Sequence, residues 1–289
     1  MMRTAFAALF LFAFAQQPQP AADALVRTET ARIVAAASAW TAGFEHGLSG
    51  LLFREQYLQK AEGASPARKG TISRIVHRRE LLLEANVFLV RPSANGDFVL
   101  FRDVYSKNGE AAVNHTTRLQ ELLTDGTAKA FEQAKRLTDA SAEHNLGQIN
   151  RNVNIPTMAL RFLEPARIGG VQFYRAGDEV IDGIGTAIID FEEVGTPTLV
   201  RGANDTSVPA RGRYWVDPVS GAVLRAQVEF EGPDVAGRLE IDLMRHKEVA
   251  AWVPRAMTEY WRTQGQRITG LATYDRYQRL VVSTGEIVK

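Results

Sequence analysis

Apolar and polar residues alternate with two different periods along the chain, and the change of period separates a mixed first part from a strand-rich second part. From Ala22 apolar residues recur at spacings near three and four, which predicts one amphipathic helix that ends near Gly47. After Gly169 the chain consists of short β-branched and aromatic runs joined by turn signals. These short connections favour an antiparallel meander.

The first part also contains strand patterns and a helix-forming block. Strands are predicted in three of its segments, 49–59, 78–92 and 98–106. The block at about 116–163 is rich in helix formers and is predicted to be helical. At its end, the segment 154–165 predicts one short helix with Pro156 in its first turn, which stops before Pro165.

Strict alternation in two neighbouring strands of the second part predicts a sheet with one dry face and one wet face. In both strands apolar side chains alternate with Arg, Gln, Glu or Asp. The apolar positions, which we expect on the dry face, are Leu224, Ala226, Val228, Phe230, Leu239, Ile241 and Leu243.

The first residues are typical of a cleavable secretory signal, so residues 1–15 are predicted to be removed. One early cation, Arg3, precedes an apolar run from Thr4 to Ala15 that closes on an A-x-A site. A membrane anchor is the alternative, but the run is shorter than the ~20 residues that a spanning helix needs. We expect residues 16–289 to form a single domain.

Cysteine is absent from the chain. This excludes disulfides, thiolate metal ligands, a cysteine nucleophile and the lipid-bearing cysteine of a bacterial lipoprotein. No second apolar run of spanning length follows the signal. We therefore expect a soluble periplasmic or secreted protein, for which transient contact with a membrane is allowed.

The overall charge argues against a nucleic-acid partner. The 34 basic and 33 acidic residues give a net charge of +1, whereas binding to phosphates requires a basic face. The hydrophobic fraction of 45% and the charged fraction of 23% are typical of a folded globular protein.

The search for catalytic chemistry assigns no residue. The glycines of "DGIGTAIIDFEE" at 182–193 precede a β-branched run instead of a helix, which predicts a hairpin turn and not a phosphate loop. The five histidines lack metal-site spacing, so neither a metal nor a cofactor is predicted. Glu143, His144 and Asn152 could form an acid–base site, although a histidine near a helix end more often interacts with the helix dipole.

A hairpin in the second part resembles one in a known superfamily. In "RYWVDPVSGAVLRAQVEF" a strand that carries Trp215 reaches a D-P-x-S-G turn at Asp217–Gly221. This hairpin and the later "WVPRAMTEYW" and "ITGLATYDRYQRL" are similar to the outer-membrane lipoprotein carrier (LolA/LolB-like) superfamily of unclosed β-barrels. The resemblance covers roughly Gly170 to Val282, makes the block at 116–163 an insertion, and transfers no functional residue.

A second resemblance is to a group of secreted bacterial proteins. It rests on "FREQYLQ", on the segment 101–113 and on "HNLGQINRNVNIPTMALRFL". This resemblance implies a fold and no activity.

Together these features predict an α+β fold, a strongly curved antiparallel sheet or incomplete β-barrel with helices packed on its concave face. Such a groove suits acyl chains, so the first hypothesis is a carrier or sensor that binds a lipid or lipoprotein. The predicted lining of the groove is Leu224, Val228, Phe230, Leu239, Ile241 and Leu243, residues that would serve equally as core.

Two other hypotheses remain open. One is a non-enzymatic interaction module of the cell envelope whose groove is filled by its own helices. The other is a hydrolase around Glu143, His144 and Asn152. Six aromatic residues on the last strands could line a ligand cavity or, more commonly, pack across strands: Trp215, Trp252, Tyr260, Trp261, Tyr274 and Tyr277.

Overall fold

The computed structural model describes residues 20–64, 76–90, 99–112, 139–140, 142–147, 153–202 and 205–279. The predicted signal at 1–15 and most of the predicted helical block lie outside these residues. The described part contains one long helix, α1 (Pro20–Ser49), and two short 3-10 helices, Met158–Leu163 and Ile168–Gly170. The first of these two is called the 3-10 helix below. The strands are β1 (Leu51–Ala64), β2 (Val76–Val90), β3 (Val99–Lys107), β4 (Glu110–Ala111), β5 (Val171–Ile181), β6 (Ile184–Glu193), β7 (Val200–Arg201), β8 (Ser207–Val208), β9 (Ala210–Val216), β10 (Val223–Glu231), β11 (Val235–His246), β12 (Ala251–Thr263) and β13 (Gln266–Arg279).

Eleven of the strands form one large, curved antiparallel sheet. Its order is β4-β3-β2-β1-β13-β12-β11-β10-β9-β6-β5, so the first and last strands of the chain pair in the middle. The strands at the two ends, β4 and β5, are not paired with each other in the described structure. The predicted antiparallel, unclosed sheet is therefore confirmed, and the run β9 to β13 is the predicted meander.

Helix α1 packs against the face of the sheet that carries the main core. Ile33, Ala37, Thr41, Phe44 and Leu48 follow one another at spacings of three or four residues and are buried, as the helical period requires. Thr41 lies on the same stripe, and its hydroxyl donates to the carbonyl of Ala37 at 2.9 Å. The helix contacts β2, β5, β10 and β12, which confirms the predicted helix.

Two-residue turns close the hairpins where glycine follows Asn or Asp. Asn108 and Gly109 have φ of 52° and 84°, and Asp182 and Gly183 have φ of 50° and 82°. Positive φ at both central positions defines the turn that matches the twist of paired strands. The glycines at 182–193 thus belong to a hairpin, as predicted.

Helix α1 also contacts the turn between β9 and β10. Gly221 has φ of 75°, and a Cβ there would lie only 2.5 Å from the backbone of Ala36 in α1. Arg32 of α1 donates to the carbonyl of Pro218 at 3.2 Å. The D-P-x-S-G turn is therefore a structural contact point, and glycine is required both by its φ and by the closeness of the helix.

The dry face follows the prediction except at one position. Ala226, Val228 and Phe230 are buried in the main core together with the predicted residues of β11. Leu224 instead packs in a separate small cluster with Trp215. A bulge between Val223 and Arg225, in the pairing of β10 with β9, interrupts the regular alternation at this position.

The segment 154–165 folds differently from the predicted helix. It forms a turn followed by the 3-10 helix, and Pro156 lies in the turn, before the helix. Five of the six residues of the 3-10 helix are buried, because it is inserted between α1 and the sheet. The phenyl rings of Phe162 and Phe191 stack at 5.0 Å, and Tyr214 donates to the carbonyl of Ala159 at 2.6 Å.

Candidate functional site

The residues predicted to line a groove are completely covered. Each of the six is at most 2% exposed. None of them lines the α1, β1–β12 or β5–β9 surface cavities that described residues form around Val34, Gly63 and Phe191. The structure brings Val228, Phe230, Leu239, Ile241 and Leu243 together in the main core, with Leu224 apart from them.

The aromatic residues of the last strands pack against one another and against the core. Phe230 stacks on Trp261 at 6.1 Å, and Phe53 contacts Tyr274 and Tyr277 at 5.8 and 5.3 Å. Such ring pairs stabilise a sheet beyond the area they bury. These contacts show Trp261, Tyr274 and Tyr277 in ring packing between strands.

An apolar cavity lies between the first turns of α1 and the edge strand β5. We call it the α1–β5 cavity; its volume is about 550 Å³, which is within the range of small-molecule sites. Its lining consists of Val26, Arg27, Thr30, Ala31, Val34, Ala35, Ile168, Phe173, Tyr174 and Arg175.

The α1–β5 cavity has one end in the core and one end in solvent. Val34 is 7% exposed and belongs to the main core, against which Ile168 and Phe173 also pack. Val26, two turns earlier, is 47% exposed. An apolar lining that is partly open to water, continuous with the core, is a suitable surface for an apolar ligand.

Polar side chains lie among the apolar lining residues. The hydroxyl of Thr30 donates to the carbonyl of Val26 at 2.8 Å, and that of Tyr174 donates to Gln172 at 2.5 Å. Arg175 pairs with Asp178, a side chain that is 75% exposed. The lining includes two arginines and no carboxylate.

A second feature is a group of buried polar side chains, most of them on strands of the sheet, which we call the buried polar cluster. It consists of Glu55, Tyr57, Gln59, Arg102, Asn154 and Glu259, all at most 4% exposed. The guanidinium of Arg102 donates from Nε and Nη2 to the carboxylate of Glu55, and from Nη2 to the carbonyl of Asn154 at 3.2 Å.

The buried polar cluster contains a second carboxylate, which also accepts hydrogen bonds. Glu259 accepts from the hydroxyl of Tyr57 and, at 2.9 Å, from Nε1 of Trp261. The amide of Asn154 donates to the Tyr57 oxygen at 3.0 Å. The side-chain oxygen of Gln59 accepts from the backbone of Leu146 at 2.9 Å. The cluster thus fastens the segment that precedes the 3-10 helix to strands β1, β3 and β12.

The electrostatics of the buried polar cluster favour fixed charges. Burial alone would lower the pKa of Arg102, but the charge of Glu55 and its hydrogen bonds raise it above the ordinary value. Burial, together with the charge of Glu55, raises the pKa of Tyr274 well above its ordinary value. These groups keep one protonation state over the physiological range, as expected of a structural network.

The residues of the hydrolase hypothesis are not brought together as a site by what the structure shows. Glu143 is exposed and His144 is half-buried in a turn, while Asn152 lies outside the described residues. Among the side chains that are described, no group of three His, Asp or Glu could hold a metal ion.

Sequence reasoning missed both the α1–β5 cavity and the buried polar cluster. The cavity left no local signal, because its lining combines residues of α1 with residues of β5 that are far away in the chain. The cluster did leave one: Glu55 and Gln59 alternate with Phe53, Tyr57 and Ala61 on one face of β1.

No protein-family model and no curated protein sequence matches the chain. Among solved structures, the chain is similar to a DUF1329 family protein from Desulfovibrio piger ATCC 29098, with a TM-score of 0.32, 9% identity and coverage of 88% of this chain and 94% of that one. It is similar to an outer membrane lipoprotein-sorting protein domain from Vibrio parahaemolyticus, with a TM-score of 0.30, 10% identity and coverage of 88% and 95%.

The lipoprotein LppX of Mycobacterium tuberculosis is a further similar structure, with a TM-score of 0.24, 14% identity and coverage of 89% and 98%. No helix in the described part of the chain is long and apolar enough to cross a membrane.

Proposed function

We propose that this protein is exported to the periplasm or the cell exterior and there binds a hydrophobic ligand, such as a lipid or a lipoprotein acyl chain, in the α1–β5 cavity. One observation carries the proposal. An apolar cavity of about 550 Å³ is continuous with the core and opens to solvent at the edge of the sheet. Covering its apolar atoms with a ligand would contribute roughly 25 cal/mol per Å² removed from water.

The position of the cavity supports binding without rearrangement of the core. In this proposal α1 and the 3-10 helix occupy the concave face of the sheet and fill it, which leaves the unpaired edge at β5 as the place for a ligand. Phe173 of β5 packs on Phe191 with ring centres 6.5 Å apart. This contact gives the cavity a wall that is anchored in the core.

A filled-cavity variant tests the proposal. Ala35 is an exposed residue of α1 that lines the cavity, and Ala42 is an exposed residue of the same helix that does not. The assay is the fluorescence of N-phenyl-naphthylamine, an uncharged dye that brightens in apolar sites. We expect saturable binding to the wild-type protein and to Ala42→Trp, and at least a tenfold loss of affinity in Ala35→Trp.

The two tryptophan variants carry the same cost in helix propensity, so their difference reports the cavity alone. Equal binding by Ala35→Trp and the wild-type protein would place the ligand elsewhere. A complementary measurement is mass spectrometry of an organic extract of protein purified without detergent. A stoichiometric acylated species is expected in the wild-type extract and not in that of Ala35→Trp.

A second candidate function, the non-enzymatic envelope interaction module, is supported by a different observation. The 3-10 helix and the buried polar cluster fill the interior with the chain's own groups. A protein that needs only its outer surface would have such an interior. A clean organic extract from stable protein, together with no dye binding by the wild-type protein, would favour this candidate.

A further inference from the structure

We propose that the ligand of the α1–β5 cavity is a single-chain amphiphile whose polar end is an anionic oxygen group, a carboxylate or a phosphate. This inference rests on the proposed function, because it specifies the ligand of the same cavity. It follows from the charges of the lining, the direction of the cavity and its size.

The charges of the lining are of one sign. Arg27 and Arg175 both line the cavity, and no Asp or Glu does. In a chain whose charges nearly cancel, at +1 overall, this is a local excess of positive charge. Guanidinium groups present a planar fork of N–H donors that matches the oxygens of a carboxylate or a phosphate.

Arg27 is the arginine that is available to a ligand. It is exposed, and no carboxylate of the described residues forms a salt bridge with it. Arg175 is paired with Asp178, whose side chain is 75% exposed. An incoming anion can therefore bind Arg27 directly, whereas the side chain of Arg175 is only 21% exposed and already has Asp178 as its partner.

The cavity has a direction that suits an amphiphile. Its apolar end is at Val34, in the core, and Arg27 lies seven residues earlier on the same helix. A helix rises about 1.5 Å per residue, so the two ends are separated by about 10 Å. A molecule that fills the cavity must place an alkyl segment against Val34 and a polar group near Arg27.

The size of the cavity favours one chain. A volume of about 550 Å³ corresponds to a single drug-sized ligand, for which sites of about 300–1,000 Å³ are usual. A lipid with two or three long chains is larger than such a ligand. A fatty acid and a lysophospholipid share the chemistry that fits: one chain next to an anionic oxygen group.

Probes that share one alkyl chain and differ in their polar end test the inference. They are dodecanoate, dodecyl phosphate, dodecanol and dodecyl trimethylammonium, each used below its micellar concentration to displace N-phenyl-naphthylamine. We expect both anions to bind about tenfold more tightly than the alcohol, the effect of one charge-assisted hydrogen bond, and the cation to bind most weakly. The advantage of the anions should shrink as salt screens the exposed guanidinium.

The variant Arg27→Gln should lose the tenfold preference for the anions while it keeps the affinity for dodecanol. The matched control is Arg211→Gln, which removes an equally charged, exposed arginine of β9 outside this cavity; it should keep the preference. The ratio of dodecanoate to dodecyl phosphate affinity then indicates whether the natural ligand is a carboxylate or a phosphate.

The outcomes separate this inference from the proposed function. Equal binding of the anions and the alcohol would overturn the inference that the ligand is anionic, and it would leave the hydrophobic cavity as the binding site. Displacement of the dye by inorganic phosphate as strongly as by dodecyl phosphate would overturn the inference that the ligand is an amphiphile. No dye binding by the wild-type protein would refute the proposed function itself.

Discussion

Replacing Arg102 with methionine is expected to destabilise the protein by about 3–5 kcal/mol, because the substitution leaves the carboxylate of Glu55 buried without its cation. The two side chains are only 1% and 0% exposed, and two guanidinium nitrogens donate to the two carboxylate oxygens. Arg102 also lies over the ring of Tyr57 at 5.2 Å. An exposed ion pair would contribute at most about 1 kcal/mol. A loss of stability larger than this therefore indicates that the pair is buried.

A double-mutant cycle with Glu55→Gln measures the coupling of the pair. Each single variant should lose about 3–5 kcal/mol, and the double variant no more than one of them, a coupling energy of about 3 kcal/mol. The assay is urea unfolding followed by circular dichroism, with the free energy taken from midpoint and slope. The control is Arg78→Met, which removes an exposed partner of Glu62 and should cost under about 1 kcal/mol. Two results would refute the reasoning. One is a double variant whose loss of stability equals the sum of the two single losses, and the other is single variants that lose as little stability as the control.

Three further predictions follow from contacts elsewhere in the sheet. The hydrogen bond from Arg54 lowers the pKa of Asp275. Its contribution to stability, under about 1 kcal/mol for this half-exposed pair, is present above the unfolded pKa of about 3.9 and is lost as the pH falls through the lower folded value. In urea unfolding at a series of pH values, Asp275→Asn should therefore lose less stability on acidification, on the acid limb of the curve, than the wild-type protein. Gly237→Ala would place a Cβ against the ring of Trp261 and should cost about 1–3 kcal/mol in urea unfolding. Burial raises the pKa of Tyr214 well above its ordinary value, so absorbance titration should show its ionisation only together with unfolding.

Each of these predictions has an outcome that contradicts it. An unchanged acid limb in Asp275→Asn would mean that the cross-strand hydrogen bond does not persist in solution. Gly185→Ala is the control for the glycine prediction, because a Cβ there meets nothing within 4 Å, and equal losses in the two variants would exclude the steric cause. For Tyr214, the variant Tyr214→Phe should leave the reversible titration unchanged, and a reduced amplitude would show that this hydroxyl ionises in the folded state.

Local patterns were sufficient to predict most of the sheet. A strand repeats every two residues and a helix every 3.6, so alternation and turn residues carry the information within a short window. The hairpin at Asp182–Gly183 was predictable because Asp and Gly tolerate positive φ, which the turn demands. The order of the strands β9 to β13 followed from their short connections.

The features that the sequence did not reveal depend on contacts between distant parts of the chain. The bulge at Leu224 is defined by the register against β9, which alternation in β10 alone does not encode. The burial of Glu55 depends on Arg102, 47 residues away in the chain, since a carboxylate is buried only when it is paired. The residues of the predicted groove lining are apolar. Tertiary packing decides whether such residues face a ligand or the chain's own 3-10 helix.

The buried polar cluster and the α1–β5 cavity lie at different places in the sheet, and this separation has a functional consequence. The cluster joins strands β1, β3 and β12, whereas the cavity lies at β5, at the far end of the strand order. A network of paired charges and hydrogen bonds resists opening because each broken contact leaves a buried polar group unsatisfied. The interior at β1 is therefore held closed, whereas the lining at β5 is shared with α1 and Ile168. Under the proposed function, a ligand would therefore enter at β5 while the network at β1 stays intact.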